Sequence, residues 1–300
     1  MRLDPTSLRL FVSVVEEGTI AAAAELEHIA ASAVSKRLSE LEEILDTKLL
    51  TRSNRGIEPT AAGIALLNLA RGILHNLDEI YSQMREYASG IRGHVRVFAN
   101  ISAITQFLPG KLKSFLAVYP RVQIHLEERI STVITKAVAE NAADMGIFTM
   151  GHHDQNLELF PCHSDELVLI TPKQHVLARK QSVSLLETLE FDYVGLHTGS
   201  AINYQLIKAA TELERSLKLR IQVTSYDALC LMVDAGLGIG ILPSISARPY
   251  LKSLAIEAVP LNEPWAKREL AICVRSYEAL SVAARILVDH LGKRYPNPAA

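Results

Sequence analysis

The 300 residues carry 49% apolar and 21% charged side chains and sum to a net charge of −2. That is the composition of globular sequence, longer than one core usually accommodates, so two or three domains are expected. No stretch approaches the uninterrupted apolar length of a membrane helix, which sets a membrane-spanning chain aside.

The start, Met1-Arg2-Leu3-Asp4-Pro5, runs straight into amphipathic sequence without a signal-peptide block, so export is not expected. Cys162, Cys230 and Cys273 are odd in number and widely spaced, as reduced thiols of a cytoplasmic protein would be. In chain order, Leu8, Phe11, Val12 and Val15 recur at helical spacing, and Gly18 ends that helix. Thr19 is placed to cap a second, alanine-rich helix through Ala24. The chain turns near His28, and Ser32 is the expected cap of a third helix that buries Val34, Leu38, Leu41 and Leu45. Small Ala23 and Ala24 let the second and third helices cross closely. Ser35, Lys36 and Ser39 fall opposite the apolar stripe, where they can meet phosphates and base edges in a major groove about 12 Å wide. Lys48 to Ile57 reads as a two-stranded wing, turned at Ser53-Asn54, with Arg52 and Arg55 flanking its tip.

Pro59 blocks earlier helix propagation, and Thr60 caps a long helix to Ser89 that spans roughly 45 Å at about 1.5 Å per residue. Leu66, Ala70, Ile73, Leu77, Ile80, Met84 and Tyr87 step alternately by four and three along it. Such a narrow seam suits the same helix of a second copy. Residues 1–90 hold nine Lys and Arg against thirteen Asp and Glu, so the segment is acidic as a whole, whereas a DNA-binding segment is expected to be basic. The positive charge is focal instead, five of the nine lying between Lys36 and Arg55. Spacing alone leaves two readings open: a DNA-binding head, or three helices that only pack on one another.

Leu8-x-x-Phe11, Glu17-Gly18-Thr19, Ala23-Ala24, Ala33-Val34-Ser35-Lys36, Leu41-Glu42, Leu49-x-x-Arg52 and Thr60-x-x-Gly63 are each weak signals, but their order and spacing are specific. Together they resemble the amino-terminal domain of LysR-type transcriptional regulators. The resemblance implies a winged helix-turn-helix in which Ala31, Ser32, Ser35, Lys36 and Arg37 belong to the reading helix and Arg52 and Arg55 serve the wing. There are departures. Ala30-Ala31 stands where the family often has Ser-Gln, Glu27 where Leu is frequent, Asp46 where Gly is usual and Leu50 where Phe is usual.

Ser89-Gly90-Ile91-Arg92-Gly93 breaks the rod, and short β-like runs then alternate with helical ones, which implies parallel sheets with crossover helices. The strand-like runs are His94–Phe98, Val122–Glu127, Met145–Phe148, Leu167–Ile170, Tyr193–Leu196 and Leu270–Val274. Helices are expected over Leu108–Tyr119, Val133–Asn141, Tyr204–Leu217 and Leu280–Leu291. Ligands in α/β folds sit beyond the carboxyl ends of strands, near helix amino-termini that favour anions. Asn100, Ser102, Ser131, Thr132, Thr149, Thr198 and Ser200 occupy such junctions, although any one of them could be an ordinary helix cap. Leu108-Pro109, Tyr119-Pro120, Asp144-Met145-Gly146-Ile147 and Gly236 to Pro243 extend the resemblance, which implies a two-lobed effector domain like a periplasmic binding protein.

The expected class is therefore α+β multidomain: a winged helix-turn-helix over 1–59, a dimerisation helix and hinge over 60–90, and an α/β effector domain over 91–300. Its lobe I is expected at about 91–166 and 268–300, its lobe II at about 167–267. Double-stranded DNA, a small-molecule effector with a preference for anions, and further copies of the chain are the expected partners, as a homodimer and, by the resemblance, a homotetramer.

No cofactor, metal or catalytic group is assigned. Gly236-x-Gly-x-Gly lacks dinucleotide-site spacing, His152-His153-Asp154 with Cys162-His163 is a poor metal set, and Tyr226-Asp227 reads as a helix start. An enzyme would need a convergent catalytic constellation, for which no candidate is found. A transport receptor would not need the first ninety residues.

Overall fold

A computed structural model describes residues 3–53, 56–89, 91–151 and 156–292; of Arg52, Ser53, Gly56, Glu79 and 81–89 it describes the backbone alone. The chain divides into two compact units, residues 1–90 with 140–142 and residues 91–139 with 143–300.

The first unit opens with α1 (Pro5–Glu17), α2 (Ile20–Leu26) and α3 (Ala31–Ile44). Asp4 caps α1 by accepting from the Thr6 and Ser7 amides, and Thr19 caps α2 by accepting from Ala22. Gly18 leaves α1 in the left-handed region at φ 70°. The turn after α2 closes with His28 at φ 54°, its amide and that of Ile29 bonding back to the Glu25 and Ala24 carbonyls. The same wrap recurs after α3. Asp46 sits at φ 47°, and the Asp46 and Thr47 amides reach the Glu43 and Glu42 carbonyls. A glycine is the unstrained residue for that position. Asp46→Gly is therefore expected to raise the stability of this unit by about 1 kcal/mol, read as a higher midpoint for loss of helical circular dichroism; an unchanged midpoint would show that the aspartate carries no strain.

Ser32 is not the cap of α3: Ala30 holds that place without a side-chain bond, and Ser32 is an exposed residue of the first turn. Val34, Leu38 and Leu41 meet Leu8, Phe11, Ala23 and Ala24 in one core, with Leu45 half-buried at its edge. β1 (Leu50–Ser53) and β2 (Gly56–Pro59) form the antiparallel wing, while Asn54 and Arg55 lie outside the described residues. α4 (Ala61–Ser89) begins at Thr60, whose hydroxyl accepts from the Gly63 amide and donates to the Lys48 carbonyl. Gly63 is required there, because a Cβ would lie 2.1 Å from the Leu49 carbonyl oxygen.

The outer seam of α4 differs from the sequence expectation. Ala70 is fully buried in the unit's own core beside Leu67, whereas Leu69, Ile73 and Ile80 are exposed and Leu66 and Leu77 half-buried. The side chains of Met84 and Tyr87 lie outside the described residues.

The second unit contains β3 (Gly93–Ala99), α5 (Ile101–Gln106), α6 (Leu108–Val118), β4 (Val122–Glu128), α7 (Ser131–Ala139), β5 (Met145–Thr149) and β6 (Glu158–Pro172). It continues through α8 (Leu185–Thr188), β7 (Tyr193–Leu196), α9 (Ala201–Glu212), β8 (Leu219–Val223), α10 (Tyr226–Asp234), β9 (Gly240–Pro243), α11 (Ser244–Ser253), β10 (Ile256–Pro260), β11 (Lys267–Val274) and α12 (Val282–Leu291). The main sheet runs β10-β6-β11-β5-β3-β4, with β9 also on β6.

Among the described residues, parallel ladders join β3 with β4 and β5 and form the separate pair β7–β8, with isolated parallel bridges at Val183–Leu261 and Tyr193–Ile239. The expected parallel sheets are thus mixed, because β6 and β11 return antiparallel through the middle. β6 is fifteen residues long, more than twice the run legible in sequence. Its first half pairs with β11 and its second half with β9 and β10. Pro161 and the unpaired Cys162 fall where the β11 register shifts between Leu270 and Ala271, a bulge of the kind that admits proline to a strand.

Two cores flank this crossing: one gathers Val95, Leu108, Phe115, Met145, Ile272 and Leu287, the other Leu167, Tyr193, Leu206, Leu229, Ile241 and Val259.

Candidate functional site

In the first unit, α3 presents Ala31, Ser32, Lys36, Arg37 and Ser39 to solvent, with Ser35 half-buried at their centre. Lys36 has a 78% exposed side chain, and its Nζ is 3.9 Å from Glu40, too far to hold it. Arg37 is committed elsewhere, donating to Asp4 at 2.8 Å. Because no side chain caps α3, the Ala31 and Ser32 amides remain available to an anion such as a phosphate, while that of Ala33 donates to the Ala30 carbonyl.

Between α3 and the wing runs a groove of about 320 Å³ lined by Ser35, Ser39, Lys48 and Leu50 among others. Glu42, at its floor, accepts from the Leu49 and Leu50 amides at 2.8 and 3.2 Å and from Lys48 Nζ at 2.6 Å. Burial alone would raise its pKa; the Lys48 ammonium and the two amides outweigh that and hold it below the usual value. Glu42 thereby fixes where the wing leaves the helix, a role its place in Leu41-Glu42 does not disclose. The backbone of Arg52 lies in β1, and nothing is described of its side chain or of Arg55.

In the second unit a cavity of about 280 Å³ is lined by Asn100, Ser102, Ser131, Thr149 and Ser200, five of the seven residues expected from strand ends. Thr132 and Thr198 are exposed and do not line it. Asn100 caps α5 through the Ala103 amide and donates to Thr149 Oγ1 at 2.9 Å.

Sequence reasoning misses the residues that give the cavity its polarity. Arg268, opposite Asp165 in the β11–β6 ladder, donates through Nε at 2.8 Å and through Nη2 to that carboxylate, and through Nη2 to Ser102 Oγ at 3.2 Å. Gln106 Nε2 adds a third donor to Asp165 at 2.7 Å. Tyr226 is indeed a helix start, following the Ser225 cap, but it is also 2% exposed with its hydroxyl 2.9 Å from Ser102. Burial pushes that phenol up to about 12, against the lowering field of Arg268, so it remains a neutral hydrogen-bonding group.

The three cysteines are free thiols, all pushed by burial to about 12 and so far from thiolate. Among the described residues no group of His, Cys, Asp and Glu could hold a metal, and no helix is long and apolar enough to cross a membrane. His152, His153 and Asp154 lie outside the described residues.

Comparison with known proteins joins the two units. Residues 5–64 match the family model of bacterial regulatory helix-turn-helix proteins of the lysR family, and residues 88–296 match the LysR substrate binding domain. The uncharacterized HTH-type transcriptional regulator YbhD of Escherichia coli strain K12 is 30% identical over 288 residues, which cover 95% of this chain and 89% of that protein. Among solved structures, full-length OxyR from Pseudomonas aeruginosa gives a TM-score of 0.76 at 21% identity, covering 97% of this chain and 95% of that one. Full-length CbnR complexed with its target DNA gives 0.66 at 21%, covering 96% and 99%. At those identities the likeness is one of fold. With both family models matched in order over nearly the whole length, the chain belongs to the LysR family: it is a DNA-binding transcriptional regulator with a carboxy-terminal effector-binding domain.

Proposed function

We propose that this regulator acts in the cytoplasm as a homodimer, assembling further into a homotetramer, and that a small molecule in the cavity of the second unit modulates how it binds or bends DNA. The observation that carries the DNA half is the exposed face of α3, where Ser35, Lys36 and Ser39 lie beside the wing and the Ala31 and Ser32 amides are uncapped. Ala31, Ser32, Ser35 and Lys36 enter the major groove in this reading, Arg52 and Arg55 track the flanking backbone, and Arg37 acts from its pairing with Asp4. The side chains exposed along α4, Leu69, Ile73 and Ile80, would meet the same helix of a second copy. Spaced reading heads then follow from the rod, roughly 43 Å long at about 1.5 Å per residue over its 29 residues.

Effector control requires only that the ligand favour one arrangement of protomers; a coupling of about 1–3 kcal/mol suffices to change occupancy detectably. No reaction is assigned to the chain. The test is a gel-shift titration against the neighbouring intergenic DNA at several salt concentrations. Ser35→Ala is expected to weaken specific binding about tenfold, and Lys36→Ala to lower the salt slope by about one. Both variants should keep the parent's circular dichroism and oligomeric mass. Unchanged affinity in both would remove α3 from the interface.

A further inference from the structure

We propose that the cavity takes a small organic monocarboxylate, whose carboxylate oxygens are received by Arg268 Nη1 and the Ser131 hydroxyl. This rests on the effector reading above and adds the chemical class of the ligand. Arg268 is 92% buried, with 8% of its surface exposed, and its Nε and Nη2 are already engaged by Asp165 and Ser102. Nη1 is left: it is buried and has no acceptor among the described residues. A guanidinium offers five donors in a fixed fork, so binding Asp165 on one edge leaves the Nη1 donors for another acceptor. Ser131 Oγ, at the start of α7, is likewise buried without a partner, and both residues line the same cavity. Leaving such groups unmatched is costly, and the two oxygens of a carboxylate offer an acceptor to each.

The surrounding field selects the charge. α7, α9 and α10, of nine, twelve and nine residues, all begin at the cavity wall, and Ser200 makes no side-chain cap to α9. Their partial positive ends favour an anion. The full charges nearby add no attraction of their own, since Arg268 faces Asp165 and Arg129 pairs with Glu127, while Glu128 adds a carboxylate to the lining. The helix ends and the spare guanidinium donor thus have one negative charge to serve, and a phosphate monoester with about two is opposed by Glu128. Ile101, Ile130, Val133 and Ile202 supply an apolar wall for a short hydrocarbon body. The volume of about 280 Å³ lies at the small end of ligand pockets, which limits that body to metabolite size.

The experiment measures thermal stabilisation of the full-length protein by benzoate, butyrate and hexanoate, by the three corresponding amides, and by phenyl phosphate. At least one acid is expected to raise the melting temperature in a saturable way, with its amide and phenyl phosphate at least tenfold weaker. Ser131→Ala should weaken the effective acid about tenfold, the loss of one charge-assisted hydrogen bond. Because Arg268→Gln alone would strand a buried aspartate, the paired variant Arg268→Gln/Asp165→Asn is used; it should fold and lose the response to acids.

The proposal is overturned if the amides match their acids, if phenyl phosphate surpasses benzoate, if no acid stabilises, or if the paired variant folds and still responds. Equal binding of amides would discard the carboxylate while keeping a small-molecule cleft. The cleft reading itself fails on a different result: probe binding that Ile202→Trp, which fills the cavity, leaves untouched.

Discussion

Asp165→Ala is expected to lower the stability of the second unit by about 3–5 kcal/mol, because it leaves the Arg268 guanidinium buried with no counter-charge. The side chains of the pair are 1% and 6% exposed, so water cannot take over the role of the carboxylate without opening the crossing strands. Gln106 Nε2 loses its acceptor in the same substitution. Trp265, the single tryptophan, packs against the adjoining core and reports the transition in urea through its fluorescence. Adding Arg268→Met should restore most of the loss, since removing both charges is far cheaper than removing one. A deficit below about 1 kcal/mol for Asp165→Ala would mean that the guanidinium is solvated after all.

Glu42→Ala is the second large effect, and it acts in the other unit. The substitution strands the Leu49 and Leu50 amides and releases Lys48, at an expected cost of about 2–3 kcal/mol to that unit together with a marked loss of operator affinity as the wing loses its anchor. Glu42→Gln keeps one acceptor oxygen and should fall between the parent and the alanine variant. The pH dependence has a definite sign. Glu42 has a lowered pKa in the folded chain, so its contribution is fully present above the ordinary glutamate range near 4.3 and is lost as pH falls through the depressed value. Acid titration of parent and Glu42→Gln should therefore converge at low pH; a constant gap would assign the stabilisation to shape instead of charge.

Much of the first unit is legible in sequence because its signals are local. Gly18, Thr19 and Thr60 act within four residues of the helix ends they define, and Gly63 is set against Leu49 just ahead of the wing. Ser32 misleads because a serine near a helix start is usually the cap, whereas the chain enters α3 two residues earlier at Ala30. Ala70 misleads for a tertiary reason. α4 carries two interleaved apolar faces, and only packing on α1 decides that Leu67 and Ala70 turn inward while Leu69 and Ile73 stay out.

In the second unit strand ends announce Asn100, Ser131 and Ser200, since each lies at a strand-to-helix junction. Thr132 stands one residue beyond Ser131 and Thr198 two before Ser200, and both face solvent. Arg268 meets Ser102 across 166 residues of chain, a distance over which no spacing rule operates. The reversal of β6 and β11 that brings them together is hidden as well, because Pro161, His163 and Asp165 make the first half of β6 look unlike a strand.

The double crossing through β6 and β11 also sets how the effector domain can move. Periodic hydrogen bonds tie these two strands to each other, so displacement of one core against the other must flex a ribbon instead of swivelling about slack peptide. The passage from one core to the other falls near Glu166, where β6 leaves β11 and takes up β9 and β10. The joint is therefore closer to a leaf spring than to a pair of loose hinges.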